Sequence, residues 1–530
     1  MNTPRTVGAD PVGATRFSAA RVCGVILLAG YVAVRAILET RYRLFDPDEA
    51  LEMLAAGSLG EGKLPYLGAL SHRGPFLTVL YAVPCTLFGP DAYRAVHAYS
   101  VLLFVLIGAW FQRCVARVTT ERIALMALAN LLLLATFRVP TEDNWSLNSD
   151  FLMAGWATLA MCRLLDARGR TALHASRPAR AAYAGVGVCL ALSFLTKQSS
   201  APYWLVPIAY VALVDRQRAL TKLGWLALGS AAPLALVAAT YLASGELRRA
   251  WYFFYEYNRD YAAAAVTAGP LTTIGRDALW FVRSYGELLA LAGAGALVVT
   301  KSGRSRHRAT WILAGAWALT GLLAAMLPGK HWDNYLWASH APVALLGALG
   351  GENLLHLVES RLAFTRFCRM LAAGIVAIPW LGSFAQTRNA RAVLSAATDV
   401  GGIPAPIVPR RELVELVDRL VRDNETIYVT GYAPEMYVLA GRRPASRHVI
   451  SNFVETVYPG RFEGPSRLVP RFFQELREDL ELNRPRVILD ACALGFVCHP
   501  SSALTAALPI FLHDYHPLPQ GPRGVFVRND

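Results

Sequence analysis

The chain has 530 residues, 54% of them apolar and only 17% charged, with a formal charge of +14. Soluble globular domains carry about 25% charged residues, so this composition excludes an ordinary soluble protein. The basic excess does not point to nucleic acid, because Lys and Arg are scattered in short clusters between apolar runs, the pattern of membrane topology signals.

Apolar runs of about 17 to 25 residues, the length that crosses the hydrocarbon as a helix, recur to about residue 385 and then stop. The first, 21–38, reads as an uncleaved helix because many spans follow it. Basic clusters at Arg5/Arg16/Arg21, Arg113/Arg117/Arg122, Arg168/Arg170/Arg177/Arg180, Arg216/Arg218/Lys222, Lys301/Arg304/Arg306/Arg308 and Arg361/Arg366/Arg369 mark the cytoplasmic side, with two crossings between consecutive clusters. Those crossings are expected at 94–112, 123–139, 147–165, 182–196, 200–214, 223–243, 280–300, 309–327, 335–350 and 370–385, which with the first makes about eleven. The run 76–89 is read as interfacial or re-entrant, because a crossing there would place Arg113 outside. The N-terminus is then cytoplasmic and the C-terminus extracytoplasmic.

From residue 386 the pattern changes. "RRELVELVDRLVRDN" and "SRLVPRFFQELREDLELN" have helical spacing, and "TIYVTG", "RVILD" and "GVFVRN" read as strands. The expected fold class is an α-helical integral membrane protein of the inner or plasma membrane (1–385) followed by a small extracytoplasmic α/β domain (386–530). Six cysteines lie in or beside apolar runs as small hydrophobes, whereas Cys492 and Cys498 could pair in an extracytoplasmic domain.

This threading leaves nearly all the unusual polar residues of the membrane half on outer loops. Four carboxylates, Asp46, Asp48, Glu49 and Glu52, crowd into seven residues of the first. Helix capping accounts for two of them: Asp46 as N-cap, Pro47 in the first turn and Glu49 as capping-box acid. Asp48 is left over. "DPD" also has the form that holds a metal-bound nucleotide sugar, but such donors are cytoplasmic and this loop is not. The aromatic run "WYFFYEY" reads most simply as an interfacial belt, with lipid binding or sugar stacking as the other reading. His72 and His331 have no second His or Cys at ligand spacing, so no metal site is assigned; a divalent cation is not indicated and no other cofactor is expected.

The order of loop motifs resembles the polytopic GT-C glycosyltransferases that use lipid-phosphate sugar donors, the group of the protein O-mannosyltransferases and aminoarabinose transferases (glycosyltransferase family 39-like). The elements are Asp48-Glu49 opening the first outer loop, then "LPY" with Tyr66 and "SHRGPF" with His72 and Arg73. "NSDF" with Asp150, "FLTKQ" with Lys197 and "PGKHWDNY" with Lys330 and Tyr335 complete the series. The tail segment "APEMYVLAGRRPASR" is similar to one in many of these bacterial proteins. Arg73 stands where the aminoarabinose transferases have Lys, and Glu142 and Asp143 rival Asp150 for the second acidic role. The resemblance implies an inverting transfer from a polyprenyl-phosphate sugar to an extracytoplasmic acceptor, whether lipid, polysaccharide or protein. Asp48, Glu49 and Asp150 would be catalytic. Arg73, Lys197 and Lys330, with Arg259 as a fourth, would bind the donor phosphate, and His72, Tyr66 and Tyr335 would contact substrate. A polytopic transporter or flippase and a noncatalytic cell-envelope binding protein are the alternatives; the first outer loop's acids and the soluble tail set the chain apart from the repeated halves of many transporters.

Overall fold

The computed structural model describes residues 19–41, 46–89, 93–137, 147–171, 176–214, 216–265, 270–302, 307–330, 332–361, 408–456, 467–496 and 502–529. The membrane half runs α1 (Ala19–Arg41), α2 (Pro47–Gly60), α3 (Pro75–Phe88), α4 (Tyr93–Val118), α5 (Glu121–Phe137), α6 (Ser149–Thr171) and α7 (Ser176–Thr196). A 3-10 segment (Gln198–Trp204) leads into α8 (Leu205–Leu213), followed by α9 (Ala219–Ala243) and α10 (Leu247–Trp251). A π turn (Tyr252–Glu256) continues α10 into α11 (Tyr257–Ala265), and α12 (Pro270–Ser302), α13 (Arg308–Met326) and α14 (Trp337–Arg361) complete the half.

Among the described residues, five helices are long and apolar enough to cross a membrane: residues Ala19–Ala36 of α1, α4, α9, Gly275–Val298 of α12, and α13. Their outward residues, such as Val25 and Ile26 on α1 and Leu228 and Leu236 on α9, are exposed apolar side chains suited to lipid. The other described crossings fall on helices that are shorter or more polar. On α6, for example, Phe151, Leu152, Met153, Ala157 and Met161 are all buried. A helix enclosed by its neighbours can carry Asp150 and Asp166 without facing lipid. The crossing expected at 370–385 lies outside the described residues. At 14 residues α3 is about 21 Å long, short of a hydrocarbon core of about 30 Å.

The tail forms α15 (Val408–Leu420), β1 (Thr426–Val429), α16 (Glu435–Leu439), β2 (Arg443–Pro444), α17 (Pro470–Asn483), β3 (Val487–Leu489), α18 (Ala503–Ala507), β4 (Tyr515–Pro517) and β5 (Val525–Arg528). Strand order is β2-β1-β3-β5-β4. β1 pairs parallel with β2 and β3, whereas β5 is antiparallel to β3 and β4. Ile427, Val429, Val487 and Leu489 are buried in the same cluster as Leu51, Tyr66, Leu70, Phe253 and Tyr257, so the tail shares one core with α2, the loop after it and the α10–α11 segment. Arg249 ties the two, with Nη1 and Nη2 donating to Glu475 at 3.0 and 2.9 Å and Nε donating to the Tyr66 carbonyl at 2.8 Å. Leu70 N–H also donates to the Arg447 carbonyl at 2.9 Å. Cys492 is disulfide-bonded; Cys498 lies outside the described residues.

Candidate active site

α2 starts as the sequence requires. Asp46 is the N-cap, its Oδ1 accepting from Asp48 N–H at 2.9 Å, and Pro47 follows it at the first helical position. Glu49 departs from the capping-box expectation. It is buried, its Oε1 accepts from Leu147 N–H at 2.9 Å, and its Oε2 lies 2.6 Å from His97 Nε2. Glu49 thus joins α2 to α4 and to the start of α6, leaving Asp48 on the face that meets the loop after α2.

That loop is held at several points. The Tyr66 hydroxyl donates to the Arg73 carbonyl at 2.6 Å, Arg73 N–H donates to Ser71 Oγ at 3.1 Å, and Asn258 Nδ2 donates to the His72 carbonyl at 2.7 Å. Ser71 in turn donates to Glu52, which also accepts from Thr78 at 3.1 Å. Burial, opposed by those hydroxyls, raises the Glu52 carboxyl to about 7. Tyr66 adopts a left-handed backbone (φ 71°) that a residue with a Cβ rarely occupies; stacking on Tyr241 and Phe253 holds it there. Gly74 N–H donates to the Thr196 carbonyl at 3.1 Å, and a Cβ on Gly74 would collide with the Leu195 carbonyl oxygen. Only glycine lets the Arg73 loop press against the end of α7, where Lys197 begins the next turn.

Arg73 therefore reaches two elements, Nη2 to Asp48 Oδ2 and Nη1 to Ser149 Oγ at the start of α6. Lys197 Nζ donates to both Asp150 oxygens at 2.7 Å, inside the bundle. Asn334 Nδ2 lies 3.4 Å from Asp150 Oδ2, and the Tyr335 ring lies beneath Lys197 Nζ at 4.2 Å. Lys330 Nζ sits 3.9 Å from the Tyr261 ring centroid and is buried, with no hydrogen-bond partner among the described residues. His72 packs against Tyr257, Tyr261 and Phe453. Asp48, Arg73, Asp150, Lys197, Lys330, His72 and Tyr335 thus converge from five places in the chain.

The charges are consistent with an anion site. Burial raises the Asp48 carboxyl, and Arg73 with the Tyr432 hydroxyl reverses this to a net lowering, so it is ionised at neutral pH. Burial, reinforced by Arg73, drives His72 down to about 3, leaving a neutral imidazole. Burial lowers Lys330 to about 8 and, against the pull of Asp150, lowers Lys197 to about 8. Asp48 and Asp150 thus face three basic side chains, Arg73, Lys197 and Lys330.

Two expected residues stand apart. Arg259, with 59% of its side chain exposed, pairs with its neighbour Asp260 at 2.8 Å. Tyr66 uses its hydroxyl on the Arg73 backbone. Glu142, Asp143 and His331 lie outside the described residues. The aromatic run divides: Trp251 and Tyr255 are exposed, whereas Phe253 is buried against Phe453 and Phe472 of the tail. Sequence reasoning missed Tyr432, whose hydroxyl donates to Asp48 Oδ1 from the tail. It lies just before the "APEMYVLAG" segment, but nothing local shows what it meets. Among the described residues no group of three or more His, Cys, Asp or Glu side chains could hold a metal ion.

No protein-family model and no curated protein sequence matches the chain. Among solved structures, ArnT from Cupriavidus metallidurans is similar in its apo state, with a TM-score of 0.59 and 13% identity over 97% of this chain and 99% of that one. Its complex with undecaprenyl phosphate gives 0.59 and 15% over the same shares. The archaeal oligosaccharyltransferase AglB from Archaeoglobus fulgidus, in complex with an inhibitory peptide and a dolichol-phosphate, gives 0.52 and 14% over 96% of this chain and 74% of that one. At these identities the likeness is one of fold, and it extends beyond the loop motifs to nearly the whole chain: this is a polytopic membrane protein with the GT-C fold.

Proposed function

We propose that the chain is a membrane glycosyltransferase that moves a sugar from a polyprenyl-phosphate carrier to a hydroxyl or amine of an extracytoplasmic acceptor, with inversion at the anomeric carbon. The observation that carries this reading is the buried Lys330 ammonium, without a hydrogen-bond partner among the described residues; Arg73, Lys197 and Lys330 all lie within electrostatic reach of His72. A buried cation without an anion is costly, and a phosphate supplies the missing charge. ArnT, which shares the fold, is described with undecaprenyl phosphate bound.

The acceptor attacks the anomeric carbon as the bond from that carbon to the phosphate oxygen breaks. The acceptor's proton passes to Asp48, and both electrons of the broken bond leave with the polyprenyl phosphate. Asp48 held by Arg73 is a weak base suited to orienting the acceptor. Arg73 also reaches toward α6, so an arriving phosphate competes for its guanidinium and frees Asp48 to accept a proton. The cations then stabilise the charge that grows on the leaving phosphate. Glu49 serves this chemistry indirectly, by fixing α2 through His97 and Leu147. Asp150 keeps Lys197 charged and placed. The tail, from about residue 386, is proposed to lie on the extracytoplasmic side over the loops that form the site.

Lipid extracts of cells lacking the protein test this reading. A polyprenyl-phosphate sugar should accumulate and should disappear on re-expression of the wild type but not of Asp48→Asn. Extracts unchanged by the deletion would refute it.

A further inference from the structure

The tail touches the proposed base. β1 lies between β2 and β3, and the chain leaves its C-terminal end through Gly431, whose φ of 75° makes the turn. Residues following the C-terminal ends of parallel strands are where α/β sheets place functional groups. Tyr432 is the next residue, and its hydroxyl donates to Asp48 Oδ1 while Arg73 takes Oδ2. The two oxygens of one carboxylate are thus held by a tail residue and a loop residue.

We propose that Tyr432 is the positioning residue of the site: its hydroxyl holds the Asp48 carboxylate in orientation when the donor phosphate draws Arg73 away. This role rests on the reading of Asp48 as the base. Arg73 is shared between base and phosphate and cannot fix the base throughout turnover. Tyr432 has no phosphate to follow, and its placement is rigid because the tail is docked by the Arg249–Glu475 pair, the Leu70–Arg447 backbone bond and Phe453 packed on Phe253, Tyr257 and His72. The other groups facing Asp48 are Asp46 at the start of its own helix, Glu52 one turn on, His72 and Arg73 from the loop, Tyr261 on α11, and Lys197 with its partner Asp150 across the site. Among them the donors other than Tyr432 are the phosphate cations, His72, whose ring packs among Tyr257, Tyr261 and Phe453, and Tyr261, whose hydroxyl is hydrogen-bonded with Tyr335.

The test uses the full chain in lipid nanodiscs with two readouts. Carbodiimide labelling of Asp48, which requires the protonated acid, is followed by peptide mass spectrometry against pH, and transfer is measured as kcat and KM for a polyprenyl-phosphate sugar. In Tyr432→Phe the labelling midpoint should rise by about one pH unit, as loss of a hydrogen bond to a charged group requires. Turnover should fall at least tenfold with the donor KM within about twofold, because the phosphate cations are untouched. Incorporating 3-fluorotyrosine at position 432, a stronger donor of nearly the same shape, should move the midpoint down and guards against a folding defect in the Phe variant. Wild-type transfer with an unchanged midpoint and unchanged turnover in Tyr432→Phe overturns this role alone. A wild-type chain that leaves every polyprenyl-phosphate sugar intact overturns the transferase reading and this role with it.

Discussion

Lys330→Met removes one positive charge while leaving no carboxylate behind, which makes it the cleanest perturbation of the site. The ammonium is buried against the Tyr261 ring at 3.9 Å, with no hydrogen-bond partner among the described residues. A phosphate oxygen about 4 Å from such a cation gains about 4 kcal/mol at an effective dielectric near 20, and about 2 kcal/mol if water screens the pair further. Polyprenyl phosphate should therefore bind about 30- to 1000-fold more weakly to the variant. The fold should change little, since the lost cation–π contact is worth about 0.5 to 2 kcal/mol and Met refills the volume. Lys197→Met should behave oppositely, because it strands Asp150 in the bundle at a cost of about 3 to 5 kcal/mol, recovered in the double variant with Asp150→Asn. Titration calorimetry with polyprenyl phosphate in nanodiscs, beside thermal unfolding of the same samples, separates the two. Binding by Lys330→Met within twofold of wild type, or unfolding as early as Lys197→Met, would refute the reasoning.

The remaining predictions concern the loops and pH. Asp46→Asn should be nearly silent in stability and transfer, since Asn caps a helix as well as Asp and the charge at the helix start is worth about 0.3 to 1 kcal/mol. Asp48→Asn should fold and bind polyprenyl phosphate yet transfer no sugar, so greater damage from Asp46→Asn would move the base. Gly74→Ala should lower turnover about tenfold or more by displacing the Arg73 loop from α7, where its Cβ meets the Leu195 carbonyl; turnover equal to wild type would show the loop can shift freely. Lys330 and Lys197, both lowered to about 8 by burial, hold their charge below that pH and lose it above. Donor binding measured across the range should weaken as pH rises through about 8, and Lys330→Arg, whose guanidinium stays charged, should make that loss shallower.

Much of this arrangement was legible in the sequence, and what was hidden has physical reasons. Asp46-Pro47 announces its cap locally, and Asp48, Arg73, Asp150, Lys197 and Lys330 stand out because charges near apolar runs are rare. The tail strands at 426–429 and 487–489 follow from short β-branched runs. Glu49 could not be assigned from spacing, because its partners His97 and Leu147 are 48 and 98 residues away. Arg259 reads in sequence as a weaker fourth member of the clamp, but on α11 its side chain is exposed and pairs with Asp260. The aromatic run could not be read fully from sequence, since a belt pattern does not reveal that Phe253 meets Phe472 of the tail. Tyr432 lies 384 residues from Asp48, and only the docking of the tail brings them together.

Asp48 and the three cations are proposed to form one site that separates a sugar from polyprenyl phosphate. Purified wild-type protein in nanodiscs, given a radiolabelled polyprenyl-phosphate sugar and an extract of the cell envelope as acceptor, tests it most directly. Free polyprenyl phosphate and labelled acceptor are expected in equal amounts with wild type, and neither with Asp48→Asn, which still binds polyprenyl phosphate. A donor left intact by the wild type, or transfer by Asp48→Asn at the wild-type rate, would contradict it.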